Sequence, residues 1–163
     1  MSSSSFYEGR AAIVGIGEYC IGQDPMATIG LGSCVALILY EPRRAMGSMA
    51  HVMLPDSHGR LDRPGKYADT AVPLLLEGML GKGCRMQNLV AKLVGGASMF
   101  AQFSGNLNIG DRNTRTLRSL LDDAGIQVVA ELTGGNVGRS VVFFPREGGR
   151  VTVKRADGTC CDL

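Results

Sequence analysis

The sequence predicts a mixed α/β domain in which strands outnumber helices. Three observations predict this class: short apolar runs are bounded by Gly and Pro, only two longer segments carry apolar residues at helical spacing, and 23 glycines gather in turn-like clusters. A doubly wound parallel sheet needs a helix between most of its strands, whereas these strands follow one another largely as hairpins. We therefore expect about seven or eight strands and two helices.

The length and composition indicate one globular unit. A chain of 163 residues is close to the usual size of one domain, and 45% hydrophobic against 20% charged residues is too apolar for a disordered chain. We expect a disordered polar segment over residues 1–10, a single domain over residues 11–155 and a short polar tail over residues 156–163. No apolar run is long enough to predict a membrane span.

Charge and cysteine content limit the partners and the compartment. The chain carries 17 Lys and Arg residues against 15 Asp and Glu residues and has no dense basic block, so nucleic acid is not an expected partner. The five cysteines are an odd number, and the start of the chain lacks the apolar stretch of a secretion signal. These features predict a cytoplasmic protein with reduced thiols.

In the first part of the chain, apolar runs alternate with breaker residues. The predicted elements are, in order, a strand that begins at Ala11, a loop with Asp24 and Pro25, a buried strand at residues 35–40 and a strand that ends at Leu54. The breakers between the last two strands make residues 34–54 a predicted β-hairpin.

From residue 55 onward, the pattern adds two helices to further strands. The predicted elements are a polar loop at 55–66, a helix from Tyr67 to Leu80, a strand at 89–97, a loop at 97–111, a helix at 112–125, and strands at 126–132, 139–145 and 151–155. In the second helix, Leu117, Leu120 and Leu121 share one face, which predicts that this face is buried.

The motifs argue against two common kinds of site. A structural zinc site usually has paired ligands, but Cys160 and Cys161 are adjacent, and the two histidines, His51 and His58, are seven residues apart. The Gly clusters lack the Lys-Ser/Thr pair of a phosphate loop and the strand-loop-helix context of a dinucleotide fold. The sequence therefore predicts neither a metal site nor a nucleotide site, and it places His58 in a polar loop on the surface.

Cys34 is the thiol with the best access for chemistry. Gly30, Gly32 and Ser33 precede it, so little bulk surrounds the backbone, and its amides could approach a substrate carbonyl. The alternative is that Cys34 begins a buried strand as a small hydrophobic residue, which is the usual environment of a free cysteine. The other four cysteines have no base near them in the sequence.

A cysteine hydrolase needs a base beside its thiol, and His51 lies on the strand after Cys34. The two side chains share a face if opposing hairpin residues have numbers that sum to an odd value, as with Tyr40 opposite Gly47. The alternative for His51 is a core histidine bonded to a backbone carbonyl. Thr28 is a candidate to orient the imidazole, and an ordinary strand or turn threonine is the alternative.

Six stretches of the chain form a longer pattern around these residues. They are TIGLGSCVALILYEP at 28–42, GSMAHVMLPDS at 47–57, KYADTA at 66–71, AKLVGGASMF at 91–100, IGDRN at 109–113 and TGGNVGRSV at 133–141. In this order, and over most of residues 11–154, they resemble the CheD family, the chemoreceptor glutamine deamidases of prokaryotic chemotaxis. The block GLGSCV followed by HVMLP is the most specific part of the pattern.

The resemblance implies roles for three residues. It implies Cys34 as the nucleophile, His51 as the general base and acid, and Thr28 as the hydroxyl that orients His51, with a Cys thioester between glutamine and glutamate. Backbone amides near Ser33 and Cys34 are our expectation for the groups that stabilise the oxyanion. The implied fold is an α/β layered sandwich of mixed, largely antiparallel sheets with two to three flanking helices, similar to a cysteine-dependent deamidating toxin domain. No metal or organic cofactor is implied.

The resemblance also implies partners. The expected substrates are glutamines in the cytoplasmic helices of methyl-accepting chemotaxis receptors, and some family members also hydrolyse receptor glutamyl methyl esters. Some lineages pair the deamidase with a CheC-type phosphatase, so a regulatory binding module for such a phosphatase is the alternative function. A cysteine hydrolase of small amides is a third alternative, which the family match disfavours.

Other family stretches are expected to serve folding. Gly95 and Gly96 are expected to allow close backbone packing, and Met53 is expected in the core. Arg112 and Asn113 are expected to cap and solvate the helix that begins there, with contact to a receptor helix as the alternative.

Overall fold

Ten strands and two α-helices make up the part of the chain that the computed structural model describes, residues 11–98 and 108–163. In chain order they are β1 (Ala12–Ile13), β2 (Tyr19–Gly22), β3 (Met26–Leu31), β4 (Val35–Glu41), β5 (Met46–Val52), α1 (Ala68–Gly81), β6 (Val90–Gly95), α2 (Ile109–Asp123), β7 (Gln127–Thr133), β8 (Arg139–Phe144), β9 (Arg150–Arg155) and β10 (Cys160–Asp162). The predicted disordered segment 1–10 and most of the predicted loop at 97–111 lie outside the described residues.

The strands form two five-stranded sheets. Sheet A has the order β1-β3-β8-β9-β10, and sheet B has the order β2-β5-β4-β6-β7. Two neighbouring pairs are parallel, β1 with β3 and β6 with β7, and the remaining pairs are antiparallel. The prediction of an α/β sandwich with mixed, largely antiparallel sheets is confirmed.

Sheet B is the middle layer of the sandwich. On one face, Ala36 and Ile38 of β4 pack with Phe143 of sheet A in a buried cluster between the sheets. On the other face, Leu37 of β4 packs with Leu117 of α2 and with α1 in a second buried cluster. Since successive strand residues point to opposite faces, a strand covered on both faces is apolar on both, as β4 is from Val35 to Leu39.

The hairpin formed by β4 and β5 has the register that brings Cys34 and His51 to one face. Tyr40 lies opposite Gly47, and Ala36 lies opposite His51, so opposing numbers sum to an odd value. Cys34 immediately precedes β4, two residues before Ala36, and therefore shares this face. The face points toward sheet A, because Ala36 belongs to the cluster between the sheets and Cys34 packs against that cluster.

Three segments differ from the prediction. The run from Ala11 to Cys20, predicted as one strand, is divided between β1 in sheet A and β2 in sheet B, because Gly17 turns the chain with φ of +77°. The strand β3 is absent from the prediction, since the small residues at its end and directly after it, Gly30, Gly32 and Ser33, resemble a loop. The predicted polar tail over residues 156–163 contains β10, whose ladder with β9 satisfies backbone groups whatever the side-chain polarity.

Both predicted helices are present. The helix α2 begins at Ile109, before the predicted start at residue 112, because Asn108 is its N-cap and accepts a hydrogen bond from the Asp111 N–H at 3.1 Å. In the described ranges, neither helix is long and apolar enough to cross a lipid bilayer.

Candidate active site

Cys34 lies where the chain crosses from sheet A to sheet B, in a connection of residues 32–34 between β3 and β4. Three successive carbonyls of this connection accept hydrogen bonds. Gly32 O accepts from the Ala97 N–H at 2.9 Å, Ser33 O accepts from Asn113 Nδ2 at 3.0 Å, and Cys34 O accepts from the Gly96 N–H at 2.8 Å. The N–H groups of Ser33 and Cys34, by contrast, have no hydrogen-bond partner among the described residues. The crossing is thus held by its carbonyls, and two amides beside the thiol remain available.

Gly95 and Gly96 allow the crossing to approach β6 closely. Gly95 lies opposite Val35 with φ of +121°, and a Cβ atom there would meet the carbonyl oxygen of Cys34. Gly96 has φ of +65°, and a Cβ atom there would meet the hydroxyl of Thr114. The expectation that these glycines serve close backbone packing is confirmed.

His51 and Thr28 meet across the two sheets. His51 on β5 is 1% exposed and Thr28 on β3 is fully buried. Nδ1 of His51 lies 2.7 Å from Oγ1 of Thr28, and that Oγ1 lies 2.6 Å from the carbonyl oxygen of Val14. The ladder of β3 with β8 shifts register directly after Thr28, an irregularity that often re-aims a side chain beside a site. The contact needed for Thr28 to orient the imidazole is therefore present.

The hydrogen bonds of Thr28 fix the tautomer of His51. The carbonyl of Val14 can only accept, so the single hydroxyl proton of Thr28 is donated to it. Oγ1 of Thr28 then accepts a hydrogen bond from His51, which places the imidazole proton on Nδ1. Nε2 of His51 carries the free lone pair, is buried and has no partner in the described part of the chain.

Burial sets the resting protonation states of the thiol and the imidazole. Burial lowers the pKa of His51 below its ordinary value of 6.5, and the Val14 carbonyl partly opposes this effect. Burial raises the pKa of the Cys34 thiol above its ordinary value of 9.0. Near neutral pH the two groups are therefore an uncharged thiol and an uncharged imidazole.

Cys20 is a second thiol on the same face of sheet B. Cys20 lies on β2, opposite Met49 of β5, so its side chain points to the same face as His51. Burial raises the pKa of the Cys20 thiol. The sequence gives no sign of this placement, because the pairing of β2 with β5 is not local. Cys20 lies within a strand, whereas Cys34 lies at a crossing whose Ser33 and Cys34 amides have no partner in the part of the chain that the structure describes.

The remaining candidates lie away from this site. Cys84 is buried, and burial together with the neighbouring Glu41 raises its pKa to about 11, which makes it a poor nucleophile. Cys160 and Cys161 are exposed on the edge strand β10. The side chain of His58 is 74% exposed, which confirms its predicted place on the surface.

Two predictions about the surroundings of the site are wrong. Asn113, expected to cap and solvate a helix, is fully buried within α2, and its Nδ2 donates to Ser33 O and Met53 O at 3.0 Å each. Met53, expected in the core, is 37% exposed. A signal for Asn113 exists in the sequence: it precedes Leu117 by one helical turn and therefore lies on the buried face of α2.

The arrangement combines the groups that a cysteine hydrolase uses for acyl transfer. It holds a partly exposed thiol, an imidazole of fixed tautomer on the same sheet face, and, next to the thiol, backbone amides without a partner in residues 11–98 and 108–163. The fold is an α/β sandwich, and this group of residues is its candidate active site.

Similarity to known proteins gives the family. The family model described as CheD chemotactic sensory transduction matches residues 53–155. A relative from Thermotoga maritima, named chemoreceptor glutamine deamidase CheD, is 48% identical over 148 residues, which cover 90% of this chain and 92% of the relative. A relative from Archaeoglobus fulgidus, named probable chemoreceptor glutamine deamidase CheD, is 44% identical over 152 residues, which cover 92% of this chain and 96% of the relative. This chain belongs to the CheD family, as its motifs predicted.

Proposed function

We propose that this chain is a protein-glutamine glutaminase that deamidates glutamines of methyl-accepting chemotaxis receptors. The observation that carries the proposal is the bond between Thr28 and His51, which leaves Nε2 of His51 free on the sheet face that Cys34 shares. The names of the relatives supply the substrate class, since both are chemoreceptor glutamine deamidases by name. The expected cytoplasmic location suits a substrate on the cytoplasmic helices of a receptor.

The proposed reaction is acyl transfer through a thioester. Sγ of Cys34 attacks the γ-carboxamide carbon of glutamine while its proton passes to Nε2 of His51. The resulting oxyanion accepts hydrogen bonds from amides near Ser33 and Cys34. The C–N bond then breaks, and His51 returns the proton to the departing ammonia.

Hydrolysis completes the cycle with the same groups. Nε2 of His51 removes a proton from water, the hydroxide attacks the thioester carbon, and the C–S bond breaks. The proton returns to the Cys34 sulfur, and glutamate leaves on the receptor. One water is consumed and one ammonia is released. A glutamyl methyl ester would react in the same way with methanol as the leaving group, so the proposal includes methylesterase activity.

Mass spectrometry of receptor fragments tests the proposal. Recombinant cytoplasmic fragments of several chemotaxis receptors are incubated with the unmodified protein and with Cys34→Ala, Cys20→Ala, Thr28→Val and Thr28→Ser variants. Each deamidated glutamine gains about 1 Da, because an acid replaces an amide. We expect conversion by the unmodified protein and none by Cys34→Ala. Thr28→Val, which keeps the shape and removes the hydroxyl, should lower kcat about 100-fold, and Thr28→Ser should restore most of it.

The Cys20→Ala variant is the matched control for Cys34→Ala. It removes a partly buried thiol from the same sheet face, and we expect it to keep deamidase activity. Conversion by Cys34→Ala would contradict the proposed nucleophile. A folded unmodified protein that converts no glutamine, yet binds a CheC-type phosphatase, would support the regulatory alternative. Association with such a phosphatase stays a prediction from the family resemblance.

A further inference from the structure

Asn113 lies beside the start of β4 and the end of β5. Its buried side chain reaches from α2 to two backbone carbonyls, Ser33 O directly before Cys34 and Met53 O directly after β5. Both partners are acceptors, so the two Nδ2 protons are both used, and Oδ1 has no partner among the described residues. One amide group thus ties the residue before the thiol to the strand that carries His51.

The bond to Ser33 also sets the direction of the Cys34 amide. The peptide between Ser33 and Cys34 is trans, so the carbonyl of Ser33 and the N–H of Cys34 point in opposite directions. The carbonyl points toward Asn113 on α2, and α2 covers the face of sheet B that is turned away from sheet A. The N–H of Cys34 therefore points away from Asn113 and α2.

We infer that Asn113 is a positioning residue that aims the N–H of Cys34 at the substrate carbonyl as a donor to the oxyanion. The inference rests on the proposed acyl-transfer function and deepens it. An oxyanion donor is effective when it is already oriented before the reaction, because no reorganisation is then needed as charge develops. The N–H of Cys34 meets this condition, since hydrogen bonds fix the carbonyls of Ser33 and Cys34 on either side of it. The N–H itself has no partner in the described ranges.

The chemistry of the position requires an amide side chain. Two carbonyl oxygens converge on it, so the side chain must donate two hydrogen bonds from one terminal group. Leucine has nearly the same shape and donates none, and serine has one proton and a shorter reach. Either substitution frees the Ser33 carbonyl and leaves the direction of the Cys34 amide unfixed.

Two reactions of the Cys34 sulfur distinguish loss of an oriented oxyanion donor from general damage to the structure around the thiol. Deamidation of a receptor fragment passes through an oxyanion, whereas alkylation of Cys34 by iodoacetamide is a displacement at a saturated carbon and forms none. We measure kcat and KM for deamidation, and the alkylation rate of the Cys34 peptide, for the unmodified protein and for Asn113→Leu and Asn113→Ser. Loss of an oriented oxyanion donor should lower kcat about 100-fold, with KM and the alkylation rate little changed.

Leu117→Ala is the matched control, because it damages the buried face of the same helix one turn away and removes no hydrogen bond to the crossing. It should lower the thermal stability and preserve the ratio of the two rates. The Asn113→Ser variant keeps the test decisive if Asn113→Leu does not fold. Equal loss of both rates in a folded Asn113 variant, or an unchanged kcat, would overturn the inference alone. An unmodified protein that deamidates no receptor fragment would overturn the proposed function and this inference with it.

Discussion

At the scale of single residues, the hydrogen-bond partner of His51 is the neutral hydroxyl of Thr28. In the proposed mechanism, Thr28 orients the imidazole without the electrostatic stabilisation of imidazolium that a carboxylate would give. Burial then favours the uncharged forms of both His51 and Cys34. In the proposed mechanism the resting site is thus an uncharged thiol and a neutral base on one sheet face, and the proton moves when a substrate carbonyl is attacked.

The pH dependence of deamidation and of thiol alkylation follows from the directions in which the pKa values of His51 and Cys34 are shifted. A lowered pKa leaves more than half of His51 unprotonated at pH 6.5, where an ordinary histidine is half protonated, so the midpoint of the acid-side decline in kcat/KM for deamidation should lie below that pH. The raised pKa of Cys34 means that alkylation by iodoacetamide should keep increasing beyond pH 9.0. Rates measured across this range test both expectations. An alkylation rate that levels off below pH 7 would instead indicate a resting thiolate–imidazolium pair.

At the scale of elements, the end of β6 and the crossing into β4 fit together through the backbone. The Gly96 N–H binds the carbonyl of Cys34, and Gly95 leaves room for that carbonyl with a φ that side chains rarely adopt. Any side chain at Gly95 would push against the main chain of the nucleophile. The glycines of this stretch therefore connect the packing of sheet B to the position of the thiol.

Replacement of Gly95 should damage both stability and activity. Gly125→Ala is the control, because Gly125 also has a positive φ, of +75°, but open space around it. We expect Gly125→Ala to lower the free energy of unfolding by about 1 kcal/mol through backbone strain alone. Gly95→Ala adds a clash with the Cys34 carbonyl and should cost at least about 2 kcal/mol, together with most of the deamidase activity. Urea unfolding measures the stability and the receptor assay measures the activity. An equal loss of unfolding free energy in Gly95→Ala and Gly125→Ala would contradict the close approach of Gly95 to the Cys34 carbonyl.

At the scale of the whole molecule, the site depends on how the two sheets pack. Thr28 belongs to sheet A and His51 to sheet B, so their hydrogen bond forms only when the two sheets are packed in this arrangement. Phe143 is central to that packing: it is fully buried, and its ring lies edge-on to Tyr40 with centroids 6.0 Å apart. Gly47 faces this ring, and a Cβ atom there would collide with it.

Truncation of Phe143 should loosen the sandwich. Phe143→Ala leaves a cavity between the sheets and should lower the free energy of unfolding by about 3–5 kcal/mol. Leu61→Ala, at a position that is 89% exposed, is the control and should change it by less than about 0.5 kcal/mol. Urea unfolding followed by circular dichroism compares the two. A loss of unfolding free energy as small as that of Leu61→Ala would show that the packing of the two sheets does not depend on the Phe143 side chain.

Local patterns in the sequence were sufficient for the hairpin of β4 and β5, for both helices and for the choice of Cys34 and His51 as candidates. Apolar periodicity and Gly or Pro breakers act over a few residues, so they are visible in one chain. The division of the N-terminal run between β1 and β2 was not visible, because it depends on ladders with distant strands. The strand β10 was not visible because its residues carry no apolar pattern, although its ladder is with the neighbouring strand β9.

The sequence by itself determined an α/β class, Cys34 and His51 as candidates for a thiol and its base, and the CheD family through its motifs. The tertiary structure alone decided the register of the hairpin, the bond of Thr28 to His51 across two sheets, and the burial of Asn113 against the crossing. The physical reason is the same in each case. A hydrogen bond between residues far apart in the chain depends on sheet packing and helix docking, which no local pattern of residues encodes.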